Sequence, residues 1–156
     1  MKLTEIVSSG AIITRLNAHD RDAALTELVD ALVAAGAIAA DARQPLITML
    51  LERERKSTTG FGEGIAVPHA KHRSIRRVCA AIGLSPSGLD FASIDFQPVY
   101  SIVLLLSPDD KPEEHLQAME VVFKALGQEL FRRLLRQAAT PDEVKALLEE
   151  TDAQHV

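Results

Sequence analysis

The sequence predicts an α/β fold: a single domain in which a mixed β-sheet is flanked by helices. Three observations predict it. Helical spacing dominates the first third of the chain, strand-like runs fill the middle, and helical spacing returns to the end, an order that gives helices packed on a sheet. The 156 residues, 47% of them apolar, supply one sizeable core and too little chain for two ordinary domains. The run Ile102 to Leu106 is continuously apolar, as expected of a strand buried on both faces.

Each element has a local reason. Ala11 to Leu16 is short and rich in β-branched residues, and reads as an edge strand. Asp20 can cap a helix whose buried stripe is Leu25, Leu28, Val29, Leu32 and Val33, with Gly36 closing it. Asp41 precedes a second helix with Leu46, Ile47, Leu50 and Leu51 inside; Pro45 suits a first turn, so the start is expected near Gln44 and the end near Lys56. Residues 57–64 are too rich in Gly and hydroxyls for regular structure and lead into a short buried strand, Ile65 to His69, stopped by Pro68. Val78 to Leu84 is a strand, Ser85 to Gly88 a turn, Asp95 to Pro98 a second turn, and Val99 to Leu106 the strongest strand. After a loop over 107–112, Leu116, Met119, Val122, Phe123 and Leu126 mark a helix. Leu130 to Gln137 and Pro141 to Glu150 mark two more, the second capped by Thr140. The ordered core is expected over about residues 3–150, with Thr151 to Val156 frayed.

Composition excludes several functions. Net charge is −5, without the basic excess of a general nucleic-acid binder, and the 4% aromatic content offers few base-stacking platforms. The single cysteine, Cys79, can form no internal disulfide, so a reducing, cytoplasmic compartment is expected. The N-terminal stretch lacks signal-peptide character, and no apolar run is long enough to enter a bilayer.

Chemistry concentrates between Arg53 and Lys71. A Gly-rich loop with Thr58, Thr59, Gly60, Gly62 and Gly64 could approach a ligand closely and aim amide N–H groups at it. His69 directly follows Pro68, which fixes its own φ and holds Val67 extended. A neutral imidazole beside a nest of donors suits acceptance of a phosphoryl group, a reaction that needs positioning and charge stabilisation. Residues 52–77 carry seven basic and three acidic side chains, +4 against −9 elsewhere, a field that attracts a dianion or an acidic partner; a solvated helix end and turn would look the same. His115, near the start of a helix and beside Leu116 on its buried stripe, is the second candidate.

Rival readings are weaker. His69 and His72 have His-x-x-His spacing, and Glu63 or His115 could complete a metal set, but no ordered helical carboxylate accompanies them and the nearby cations oppose a metal; none is expected. His72 reads as an exposed turn residue, and His19 and His155 as helix-edge and tail residues. Cys79 reads as a small buried hydrophobe and Asp95 as a turn-former. Phe61 and Phe96 are expected to rim the site, with Ile65 in the core.

Four blocks, in order and at matching spacing, carry a resemblance: Arg53-Glu54; Thr58-Thr59-Gly60-Phe61-Gly62-Glu63-Gly64-Ile65-Ala66-Val67-Pro68-His69; Asp95-Phe96-Gln97-Pro98-Val99; and His115-Leu116. From about Leu3 to Glu150 the chain resembles the enzyme IIA domain of the fructose/mannitol type, nitrogen-regulatory branch included, of the bacterial phosphoenolpyruvate-dependent phosphotransferase system. The resemblance implies that family's fold and a carrier that needs no cofactor. It implies that His69 is phosphorylated through Nε2, that His115 and Arg53 stabilise the transferring group, and that phosphorylated histidine phosphocarrier protein is the donor. An enzyme IIB domain or a regulatory protein would be the acceptor or target. Thr58 replaces the usual serine and keeps a hydroxyl; Ala70 replaces a frequent glycine and could narrow the partner surface. With no IIB or membrane domain in the sequence, a free-standing IIA module is expected, which favours the regulatory branch. The alternative is a binding module of the same fold that never carries phosphate.

Overall fold

The computed structural model describes residues 1–154. Six strands, β1 Val7–Ile13, β2 Gly60–Gly62, β3 Ile65–Ala66, β4 His69–His72, β5 Cys79–Leu89 and β6 Val99–Pro108, form one mixed sheet. Its order is β1-β5-β6-β3-β2, with β4 also on β6. β1 runs parallel to β5, β5 antiparallel to β6, and β3 and β4 parallel to β6. The helices are α1 Leu3–Ile6, α2 Arg21–Ala34, α3 Arg43–Lys56, α4 Pro112–Leu126, α5 Glu129–Gln137 and α6 Pro141–Ala153.

β6 divides the core. Ile102, Leu104 and Leu106 face one apolar cluster with α2 and α3; Val103 and Leu105 face the other with α1, α4, α5 and α6. Alternate side chains of a strand point to opposite faces, so the continuous run predicted to be buried twice is buried twice. The sheet flanked by helices is as the sequence predicts. Both expected caps are made: Ala23 N–H donates to Asp20 Oδ1 at 2.8 Å, and Glu143 N–H to Thr140 Oγ1 at 3.2 Å.

Several expectations are corrected. The edge strand starts at Val7, not Ala11, because α1 delivers the chain to the sheet edge; past Ile13 the Leu16 N–H still reaches β5, donating to the Leu84 carbonyl at 2.9 Å. Part of the Gly-rich stretch is β2, hairpinned onto β3. Positive φ at Gly62 (93°), Glu63 (58°) and Gly64 (75°) makes that tight turn possible. The strand expected over Ile65 to His69 breaks at Pro68 and resumes as β4. Proline cannot donate to the ladder, but its carbonyl still accepts from Leu105 N–H at 2.9 Å, so the chain stays on β6 across the break. Ser85 to Gly88 is no turn; it lies within β5, where a register shift between Leu84 and Leu89 and a positive φ at Gly88 absorb the irregularity. Ser107 and Pro108 extend β6 rather than open a loop. α6 passes Glu150 to Ala153, with Thr151 buried and Asp152 hydrogen-bonded; His155 and Val156 lie outside the described residues.

Candidate functional site

The site is built where β4 and the end of β6 meet the first turn of α4. In β4, His69 and Lys71 share the α4 side of the sheet, while Ala70 turns into the α2/α3 core. The Ala70 methyl is thus a core contact, 1% exposed, and does not narrow a partner surface. His69 and His72 are three residues apart in a strand and face opposite sides, which undoes their apparent metal spacing. His72 Nδ1 instead accepts from Ser74 N–H at 3.1 Å, and no metal-holding group of three ligand side chains exists among the described residues.

His69 is half-buried, and its Nδ1 lies 2.8 Å from the Val67 carbonyl. A carbonyl can only accept, so Nδ1 carries the proton and Nε2 keeps its lone pair. Pro68 creates this contact by holding the Val67 backbone extended beside the ring. Burial pushes the His69 pKa below its ordinary value, opposed by the Val67 hydrogen bond and assisted by the nearby Arg53 guanidinium. The ring is therefore neutral at neutral pH.

His115 joins it from α4. Its buried stripe runs through Ala118, Val122 and Ala125, and His115, half-buried, extends that stripe by helical spacing into the first turn. Leu116, expected inside, is 59% exposed. The His69 and His115 ring centroids are 5.8 Å apart. Burial lowers the His115 pKa, and the neighbouring His69 ring and the Lys71 and Arg53 cations lower it further. Arg53, exposed in the last turn of α3, thus acts on both rings. Of the three residues singled out from the sequence, His69 and His115 are adjacent, and Arg53 is near enough for its charge to act on both.

The Gly-rich loop is differently disposed. Thr58 Oγ1 donates to the Phe91 carbonyl at 2.7 Å and accepts from Gly60 N–H at 3.0 Å. Thr59 donates through its N–H and its hydroxyl to the Glu54 carboxylate, each at 2.7 Å. These groups serve the loop's own architecture. Gly62 and Gly64 are drawn away from His69: Ile65 pairs with Ser101 and His69 with Leu105, about 13 Å apart along β6, and Gly62 lies opposite Ile65 with Gly64 directly before it. They form the hairpin turn, with the Gly64 carbonyl accepting from Tyr100 N–H at 2.8 Å and Ser101 N–H at 3.1 Å. The glycine nest expected around a phosphoryl group is thus a turn at the other end of the hairpin.

Of the expected rim, Ile65 is core, Phe61 packs edge-on against Phe123 with centroids 5.1 Å apart, and Phe96 is 92% exposed. Asp95 is a turn-former: it accepts from Gln97 N–H at 3.1 Å and Glu63 N–H at 3.2 Å, and the first of these bonds is the main reason its carboxyl is held below its ordinary pKa. Cys79 is buried, which pushes its thiol up to about 11 and leaves it inert.

Two contributors were not read from the sequence. Glu54 is 3% exposed and clamps Thr59; its signal was an acid on the buried side of a helix end, five residues before a hydroxyl. Ser107 Oγ lies 2.7 Å from His115 Nδ1; its signal was a polar residue ending an apolar strand, in phase with Leu105 on the α4 side.

Comparison with known proteins agrees with this fold. Residues 5–151 match the family described as "Phosphoenolpyruvate-dependent sugar phosphotransferase system, EIIA 2". The chain is 31% identical over 152 residues to the "PTS system fructose-specific EIIABC component" of Bacillus subtilis, covering 97% of this chain and only 24% of that longer one. It is 34% identical over 130 residues to the "PTS system fructose-specific EIIA component" of Haloferax volcanii, covering 83% of each chain. It is 28% identical over 148 residues to a "Nitrogen regulatory protein" of Bradyrhizobium diazoefficiens, covering 95% of each. The crystal structure of "Nitrogen Regulatory Protein IIA-Ntr" from Neisseria meningitidis shares the fold, with a TM-score of 0.82 at 24% identity over 92% of this chain and 97% of that one.

Proposed function

The chain belongs to the EIIA 2 family of the phosphoenolpyruvate-dependent sugar phosphotransferase system, and from that premise we propose that it carries a phosphoryl group on His69 Nε2. The observation that carries the proposal is the 2.8 Å hydrogen bond between His69 Nδ1 and the Val67 carbonyl, which leaves Nε2 as a neutral nucleophile beside His115 and Arg53. Nε2 attacks phosphorus in line. The new N–P bond forms as the bond to the donor's imidazole breaks, and that imidazole leaves with the electron pair. Attacking and leaving groups are both imidazoles, so the step is reversible, as a carrier requires. His115 and the Arg53 guanidinium stabilise the equatorial oxygens through a loose transition state. Thr58, Thr59 and Gly60 support the site by fixing the loop between α3 and β3; Gly62 and Gly64 shape its hairpin.

The donor in this reading is the phosphorylated histidine phosphocarrier protein. The acceptor is an enzyme IIB domain, the letter that accompanies A in the fructose-specific EIIABC relative, or a regulatory target, as the nitrogen regulatory relatives suggest. No helix among the described residues is long and apolar enough to cross a membrane. The test is labelling from phosphoenolpyruvate in the presence of the general phosphotransferase proteins. Wild type takes up label and His69→Ala takes up none; label retained on His69→Ala refutes the assignment.

A further inference from the structure

We propose that Ser107 is a positioning residue that holds His115 in the tautomer with its proton on Nε2, so that His115 meets the phosphoryl group as a neutral donor. This rests on the phosphoryl-carrier reading of His69. Ser107 is 0% exposed and its Oγ is 2.7 Å from His115 Nδ1. A hydroxyl can donate or accept, so the direction must be decided by what else its proton can reach. Among the described residues the Ser107 side chain has no other hydrogen-bond partner, and burial removes it from water. If Nδ1 donated to Oγ, the Ser107 proton would be buried without an acceptor, at a cost comparable to a lost hydrogen bond. If Oγ donates to Nδ1, every group is satisfied and the ring proton sits on Nε2.

The two rings then differ in a way the chemistry uses. A carbonyl forces the proton of His69 onto Nδ1 and frees Nε2 to attack. A hydroxyl draws the lone pair of His115 to Nδ1 and leaves Nε2–H to donate. One pair of similar side chains thus becomes a nucleophile and a hydrogen-bond donor, sorted by the partner each Nδ1 finds. Position follows from the fold: Ser107 pairs in register with Lys71, in phase with His69 on the α4 side of the sheet, directly under the first turn of α4.

The test joins nitrogen-15 spectra of the histidine rings with transfer rates. In the unphosphorylated wild type near neutral pH, His69 should show its proton on Nδ1 and His115 on Nε2. Ser107→Ala should still label on His69, but phosphoryl transfer should slow about tenfold and the His115 ring should lose its single-tautomer signature. Ser107→Thr, which keeps a hydroxyl, should restore both. A wild-type His115 with its proton on Nδ1, or a Ser107→Ala protein with the wild-type transfer rate, overturns the inference. Failure of the wild type itself to accept label overturns instead the carrier reading beneath it. The tautomer measurement needs no donor protein, so it separates the two failures and distinguishes positioning from a general loss of fold.

Discussion

At the scale of single residues the site is a matter of which protons are where. Burial and neighbouring positive charge depress the pKa of both His69 and His115, and those positive charges stay in place when a dianion arrives. The pH dependence follows in sign. An ordinary imidazole is half protonated at about pH 6.5, whereas the lowered pKa of His69 keeps more than half of its rings unprotonated there. Initial rates of His69 labelling, with the donor held fully phosphorylated, should still exceed half of their plateau value at about pH 6.5 and reach half only below it. A rate already halved at that pH would show that His69 titrates normally. Stability has the same direction. The folded pKa is lowered, so the unfolded chain takes up protons first. The contribution is complete above the unfolded value and is lost as pH falls toward the folded one. The nucleophile itself was legible in the sequence because Pro68-His69 is a local signal. The hydrogen bonds that set the tautomers were not, since Val67 accepts through a backbone carbonyl that every residue possesses and Ser107 reaches His115 only through the fold.

At the scale of elements, the loop between α3 and β3 shows why composition misled. Glycines and hydroxyls in a row suggested a cradle for phosphate, yet the strand register sends Gly62 and Gly64 to the far end of the hairpin. The hydroxyls of Thr58 and Thr59 are engaged with the Phe91 carbonyl and the Glu54 carboxylate. A glycine that permits a tight turn and one that admits a ligand look alike in sequence; only pairing separates them. Glu54 is the keystone of this element, because a buried carboxylate is tolerable only while Thr59 satisfies it. Glu54→Ala leaves two buried Thr59 donors unpaired and should cost about 3 kcal/mol, measured by urea unfolding. It should also slow His69 labelling, since the same loop leads into β3 and the Val67 backbone. Glu54→Gln, which still accepts from the Thr59 amide, should lose less. Equal losses for the two variants would mean that the carboxylate serves as bulk, not as a clamp.

At the scale of the whole molecule, the sheet separates chemistry from support. One face packs α2 and α3 into a purely structural layer that takes in Ala70. The other packs α1, α4, α5 and α6, and its edge carries His69 and His115. The order of helices, then strands, then helices made this layering legible, while the joining of the chain ends was hidden, because a four-residue helix and a polar tail have no periodic signal. Leu3 N–H and Thr4 N–H donate to the Asp152 carboxylate at 2.8 and 3.1 Å, and Thr4 Oγ1 donates to it at 2.8 Å. This bond set closes the α4-side layer: Leu3 and Ile6 are buried there beside Leu148, and α1 lies against both α6 and α4. The contacts are largely exposed, so Asp152→Ala should cost only about 1–2 kcal/mol. Leu3→Ala, which opens a cavity beneath them, should cost about 2–4 kcal/mol. The carboxylate holds Leu3 by its own backbone amide, so the two losses should not add: the double variant should unfold at a urea concentration above that expected from their sum. Strict additivity would mean that the helix docks by its apolar residues alone. Either single variant should still accept label on His69 at the wild-type rate, because β4 and the first turn of α4 are anchored on β6 rather than on the chain ends.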